Sequence, residues 1–316
     1  MACLADHNSL AHEQVVFNDF REVLMSMQSY TKRLHRSAQN RLSIGERQRD
    51  QDSPVEIFTL RPASATARPL VLIGGMGPLA GAKGFENACR LFLNTREIVL
   101  LQACSIPDRT SVMKKLVRNP ASPALSLMID RLGVAIYHAV SQVTSDCSAI
   151  DLIVLCNTSH FFLSDALERC AKFHPNVFSR IRLVSLIESA IEAISRQGHK
   201  KAMALYTEGT RLCRIYTGSF QAKGLSYLEV KEELEPFLMR SIYGVKHFDD
   251  RVILDSGTYL FNRLRMREGE FDCILAGCTE IPFIIECLNA TGDDAIKSFL
   301  RRTLLIDPVA EALARI

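Results

Sequence analysis

The sequence predicts an α/β fold with mainly parallel sheets, arranged as two similar halves facing one pocket. Three observations carry this expectation. Short apolar runs alternate with helix-length stretches along most of the 316 residues, the pattern of parallel strands joined by right-handed crossovers. Residues 151–162, DLIVLCNTSHFF, read as a buried strand ending at Cys156, and in such folds ligands collect outside the C-terminal ends of strands. Residues 272–283, DCILAGCTEIPF, repeat the plan: an Asp, an apolar run, then Cys278, Thr279 and Glu280.

Residues 1–66 form a separate block by pattern. Val16, Phe20, Val23, Leu24, Met27, Tyr30 and Leu34 recur at helical spacing, so an amphipathic helix is expected over 15–42. Lys32, Arg33, Arg36, Arg41, Arg47 and Arg49 make the stretch basic from the second half of that helix onward, although charges balance over the block. Such a helix packs on the main domain or serves as an arm for a partner. Residues 48–54 read as a linker and 62–69 as a loop.

A strand is expected at 70–73, running into Gly74-Gly75-Met76-Gly77-Pro78, with Pro78 suited to the first turn of a helix to about residue 94. Strand 98–102 leads to Ile106-Pro107-Asp108-Arg109-Thr110, where a new helix starts. Helix 125–143, strand 151–156 and helix 164–172 come next. Later strands are expected at 181–186, 202–206, 226–230 and 273–276, with helices near 188–197, 210–223, 236–243 and 250–268. Helices 282–290 and 307–315 close the chain.

Composition excludes several function classes. A formal net charge of +3 is too small to imply nucleic acid or an anionic membrane as partner. No apolar run reaches the roughly 20 residues of a membrane span, and MACLADHNSL lacks the apolar core of a signal peptide. Ala2 after Met1 also excludes N-myristoylation. Ten cysteines are scattered without C-x-x-C spacing, so a reduced, cytoplasmic protein with mostly buried thiols is expected, with no metal site. Cys3, Cys89, Cys104, Cys147, Cys170, Cys213, Cys273 and Cys287 are read as inert.

The chemistry concentrates at strand ends. Gly75-Met76-Gly77-Pro78-Leu79-Ala80 fits a dinucleotide fingerprint, but the second strand ends Leu101-Gln102-Ala103-Cys104-Ser105 without the acidic residue that would hold a ribose. The glycines more simply let backbone amides approach a small anion at a helix N-terminus. Arg109, at a helix start, suits bidentate capture of a carboxylate. One cysteine between a strand and a helix would read as a nucleophile. Two at equivalent places, Cys156 and Cys278, read as an acid and a base on opposite faces of a carbon.

With these residues in view the chain resembles the aspartate/glutamate racemase superfamily, and within it the aspartate-racemase branch. The resemblance covers about residues 69–314. It rests on the glycine turn 74–78, the 106–110 junction, Cys156-Asn157-Thr158-Ser159-His160, Glu208-Gly209-Thr210 with Tyr216, Gly277-Cys278-Thr279-Glu280-Ile281-Pro282 and Asp307-Pro308. It implies two pseudo-symmetric lobes, each a mainly parallel sheet flanked by helices, with the active site in the cleft between them. Residues 67–177 plus 299–316 would form lobe 1 and 178–298 lobe 2, after a helical N-terminal extension, 1–66.

The resemblance further implies an amino-acid racemase without cofactor, acting on aspartate, glutamate or a broader set. Cys156 and Cys278 match the catalytic cysteines and Arg109 the substrate-carboxylate arginine. Asn157, Thr158 and Thr279 match residues that line the site, with Met76, Gly77 and Glu280 as further substrate contacts. The implied partners are an amino-acid or dicarboxylate substrate and a second copy of the chain, as family members are commonly dimers. Relatives that isomerise maleate share the fold. Aspartate racemases often carry a lysine where Leu212 stands, flanked here by Arg211 and Arg214. Hence a second reading: a racemase fold that binds a small carboxylate and docks a partner through its N-terminal helix.

Overall fold

Apolar runs of four or five residues, too short for buried helices, become the central strands of two sheets. The protein is described by a computed structural model covering residues 13–41, 56–104, 106–145, 147 and 149–316. The first part runs β1 (Glu13–Phe17), α1 (Phe20–Arg41), β2 (Glu56–Leu60), β3 (Leu70–Gly74), α2 (Pro78–Phe92), β4 (Ile98–Gln102), α3 (Arg109–Arg118), α4 (Pro123–Val140), β5 (Ile150–Val154), α5 (His160–Phe173), α6 (Pro175–Phe178) and β6 (Ile181–Leu183). The second runs α7 (Leu186–Arg196), β7 (Lys201–Leu205), α8 (Glu208–Cys213), α9 (Thr217–Ala222), β8 (Ser226–Glu229), α10 (Glu235–His247), α11 (Asp250–Arg265), β9 (Cys273–Ala276), α12 (Ile281–Thr291), α13 (Asp294–Arg302), β10 (Leu304–Ile306) and α14 (Pro308–Ala314).

Sheet A, of lobe 1, has the order β1-β2-β4-β3-β5-β6; sheet B, of lobe 2, has the order β10-β9-β7-β8. Every pairing is parallel except β2 with β4. The central strands β3, β4, β5 and β9 are buried along their whole length, as expected where helices cover both faces of a parallel sheet. One face of sheet A packs on α3, α4 and α5, the other on α1, α2 and α14. Sheet B is covered by α10 to α13 on one side and by α7 and α9 on the other. Among the described residues no helix is long and apolar enough to cross a membrane.

The N-terminal block differs from the separate helical extension that its periodicity predicts. Residues 13–17 are a strand paired with β2, and the two widen sheet A. The helix starts only after Asp19, whose carboxylate accepts the amides of Arg21 and Glu22 at 2.8 and 3.1 Å. Before that N-cap, β-branched Val15 and Val16 suit a strand. The apolar face of α1 (Val23, Met27 and Tyr30) is buried in the lobe 1 core. Tyr30 donates its hydroxyl to Glu56 of β2, and Arg33 reaches the same carboxylate at 3.1 Å. Further along α1, the His35 ring stacks on Phe248, just past α10 of lobe 2, at 5.5 Å. The linker 48–54, Arg47, Arg49, Cys3 and the side chains of Arg36 and Arg41 lie outside the described residues.

The lobe boundaries also move. Strand β6 pairs with β5, so lobe 1 extends to Leu183, past residue 177. Phe299 lies in the lobe 2 core and β10 pairs with β9, so the return to lobe 1 starts at α14 and not at residue 299. The helix expected over 210–223 is two helices, because Arg214 adopts a left-handed conformation (φ 50°) that ends α8.

Candidate functional site

Three loops of lobe 1 and two segments of lobe 2 converge between the sheets. The first loop leaves β3 through Gly74-Gly75-Met76-Gly77. Gly75 has φ +86°, and a Cβ there would lie 2.4 Å from the Ala103 nitrogen, so only glycine fits. A Cβ on Gly77 would lie 2.0 Å from Glu280 Oε1. The anion beside this turn is therefore the chain's own Glu280, from lobe 2. Gly77 abuts Glu280 without lining the cleft itself, whereas Met76 lines it.

Arg109 opens α3 and is buried. Its Nη2 donates to the Met76 carbonyl at 2.7 Å and its Nη1 to the Pro107 carbonyl at 3.1 Å. Its Nε has no partner among the described residues. Burial works against its charge, yet Cys156, Asp108 and Glu280 hold its pKa above the ordinary arginine value, and Cys156 is within hydrogen-bonding reach. Asp108 caps the same helix by accepting the Ser111 amide at 2.8 Å, and it takes the Tyr243 hydroxyl at 3.3 Å. Burial pushes its carboxyl up, but Arg109 and the Ser111 amide bring it below the usual range.

At the end of β5, Cys156 is half-buried and lines the cleft. Asn157 accepts the Tyr216 hydroxyl at 2.7 Å on Oδ1, while its buried Nδ2 has no partner among the described residues. Thr158 meets Thr210 at 2.7 Å and Thr207 at 3.3 Å, a hydroxyl cluster joining the lobes. His160 is half-buried at the start of α5. Its Nδ1 is 3.0 Å from the Cys156 carbonyl, and its Nε2 accepts the Leu186 amide at 3.2 Å. Those partners require a neutral ring with the proton on Nδ1. Burial lowers its pKa to about 4 despite the carbonyl partner. His160 is thus a brace between the strand end and α7, not a base facing the cleft.

On the other wall, β9 leads through Gly277 to Cys278, Thr279 and Glu280. Cys278 Sγ donates to Glu280 Oε2 at 2.8 Å, and Thr279 Oγ1 reaches the same oxygen at 3.2 Å. Burial first, and then the Glu280 charge, push the Cys278 thiol well above its ordinary value. Cys278 is a protonated thiol near neutral pH. Lys246 of α10 lines the cleft too.

Cys156, Cys278, Met76, Arg109, Asn157, Thr158, Thr279 and Glu280 therefore share one cleft, with Lys246, Asp108, Thr207 and Thr110 added. The cleft encloses about 340 Å³ of empty space including its open mouth, but only about 20 Å³ of it is wide enough to seat a water molecule. That is room for about one water. Among the described residues no group of three His, Cys, Asp or Glu is placed to hold a metal. Of the other described cysteines, Cys89 and Cys273 are buried; burial pushes Cys273 up to about 12. Leu212 packs on the lobe 1 core, Arg211 pairs with Glu235 at 3.2 Å, and neither lines the cleft.

Local sequence pattern does not single out Lys246 or Thr207. Lys246 sits in an ordinary amphipathic stretch, SIYGVKHF, and only the packing of α10 brings it to the cleft. Thr207 precedes the Glu208-Gly209-Thr210 motif and caps α8 by accepting the Thr210 amide at 3.2 Å.

Two lobes with a cysteine-tipped strand on each side of a cleft define a class of folds, and solved structures identify it. The chain superimposes on Picrophilus torridus aspartate racemase with a TM-score of 0.57 at 20% identity, over 79% of this chain and 92% of that one. It superimposes on an aspartate racemase homologue from Pyrococcus horikoshii with a TM-score of 0.51 at 21% identity, over 79% of this chain and 97% of that one. No family model matches the sequence. The chain has the two-lobed fold of the aspartate/glutamate racemases.

Proposed function

We propose that the protein is an amino-acid racemase that moves the α-proton between two cysteines without a cofactor. The observation that carries this reading is the meeting of Cys156 and Cys278, from opposite lobes, on one cleft that also holds partnerless buried donors. Arg109 Nε and Asn157 Nδ2 have no acceptor among the described residues, and a substrate carboxylate supplies acceptors for both. Neutralising that carboxylate is what makes the weakly acidic α-proton removable.

In one direction the Cys156 thiolate takes the proton from the α-carbon, leaving a carbanion delocalised into the carboxyl group. The Cys278 thiol then delivers its own proton to the opposite face and becomes the thiolate. The reverse direction exchanges the roles. Arg109 faces the Cys156 sulfur, and Glu280 holds the Cys278 thiol in place. Holding both sulfurs around one carbon supplies the orientation.

The test is α-deuterium uptake in heavy water, with optical rotation, across single amino acids. Exchange is expected with at least one of them and is lost at least about a hundredfold in both Cys156→Ser and Cys278→Ser. Absence of exchange with every acidic and neutral amino acid, or full activity in either variant, would sink the reading.

A further inference from the structure

The cleft holds two cations, and they are held differently. Arg109 is pinned by two carbonyls. Lys246 comes from the last turn of α10, in the other lobe, and its ammonium lies 5.1 Å from the centre of the Tyr243 ring. Among the described residues it has no hydrogen bond and no ion pair. The nearest carboxylate by charge is Glu280, whose Oε2 already receives Cys278 and Thr279. A helix C-terminus favours a cation in its last turn. That explains a lysine in this turn, but not one turned into the cleft. Burial acts against the ammonium, yet Glu280 and the Cys278 sulfur keep its pKa above the ordinary lysine value, so it is charged at neutral pH.

Among the described residues no other cation near the cleft mouth takes this place. Arg211 is paired with Glu235, and Arg214 closes α8; neither lines the cleft. Arg109, Asn157 and the threonine cluster offer donors enough for one carboxylate. Lys246 remains for another anion.

Resting on the racemase reading, we propose that Lys246 is the specificity-determining residue of the cleft. Its ammonium pairs with the side-chain carboxylate of a dicarboxylic amino acid whose α-carboxylate is held by Arg109 and Asn157.

The experiment compares α-proton exchange of aspartate and glutamate with that of asparagine and glutamine, in wild type, Lys246→Met and Lys246→Arg. Losing one charge-assisted contact lowers kcat/KM for the acids about ten- to a hundredfold, mainly through KM. The amides stay close to wild type, and Lys246→Arg recovers most of the loss. Equal losses on acids and amides, carried by kcat, overturn the proposal, since Lys246 would then serve only the Cys278–Glu280 pair. No loss at all overturns it too. If wild type exchanges none of the four, the racemase reading is decided separately by the wider amino-acid screen, and calorimetry with succinate decides about Lys246. Binding weakened about tenfold in Lys246→Met supports the proposal; unchanged or absent binding overturns it. Should Lys246→Met fail to fold, Lys246→Gln takes its place, with the melting midpoint as control.

Discussion

The two cysteine-tipped strands share a backbone plan and differ in almost every charge around it. Cys156 faces the guanidinium of Arg109, whereas Cys278 donates to the carboxylate of Glu280. The residue four places on is His160 in one lobe and Pro282 in the other. Even the leading aspartates diverge. Asp151 is fully buried and bound by Arg96 and Arg182, while Asp272 is exposed and caps the amides of Lys200 and Lys201 at 2.7 and 2.8 Å. Matching sequence plans mark equivalent positions in the fold, while the electrostatics of each position are set by what the other elements bring to it.

The largest effect should come from breaking the aspartate pair unequally. Asp151→Asn leaves the buried Arg96 guanidinium without its counter-charge, at a cost of about 3–5 kcal/mol. Asp272→Ala removes acceptors from exposed amides, at a cost of about 1 kcal/mol. Denaturant midpoints of the two variants measure the gap, and similar losses would contradict the contrast.

His160, which has no counterpart in lobe 2, should make stability fall in acid. Its folded pKa is depressed, from 6.5 to about 4. The unfolded chain therefore takes up a proton between those values while the folded chain does not. This contribution is fully present above pH 6.5 and is lost as pH falls to about 4, on the order of 3 kcal/mol. Unfolding curves at several pH values should show the slope in wild type and lose it in His160→Gln.

The smallest expected effect sharpens the comparison at the sulfurs. Burial and then Glu280 raise the Cys278 thiol, so Glu280→Gln should move its alkylation profile to lower pH, read peptide by peptide by mass spectrometry. An unchanged or upward-moving profile would show that burial alone sets it.

Much of this site was legible in the sequence because strand ends announce themselves. An apolar run followed by Cys-Asn-Thr or Cys-Thr-Glu shows both the strand and what it presents, and Arg109 follows a helix-start signal at Asp108. Lys246 carries no such signal, since its place depends on how α10 packs. The N-terminal block misleads for a related reason. Val16 continues the helical spacing of α1, but Asp19 caps the helix behind it and an open edge of sheet A recruits Val15, Val16 and Phe17. Arg214 shows the limit for periodicity in the other direction: a single left-handed residue divides one apparent helix into α8 and α9.

The two walls of the cleft are also tied together by backbone. The chain crosses between lobes twice, after β6 and after β10, while α1 touches both lobes from outside. Any parting of the lobes would hinge on those two crossings and would also break the ring contact that α1 makes with lobe 2.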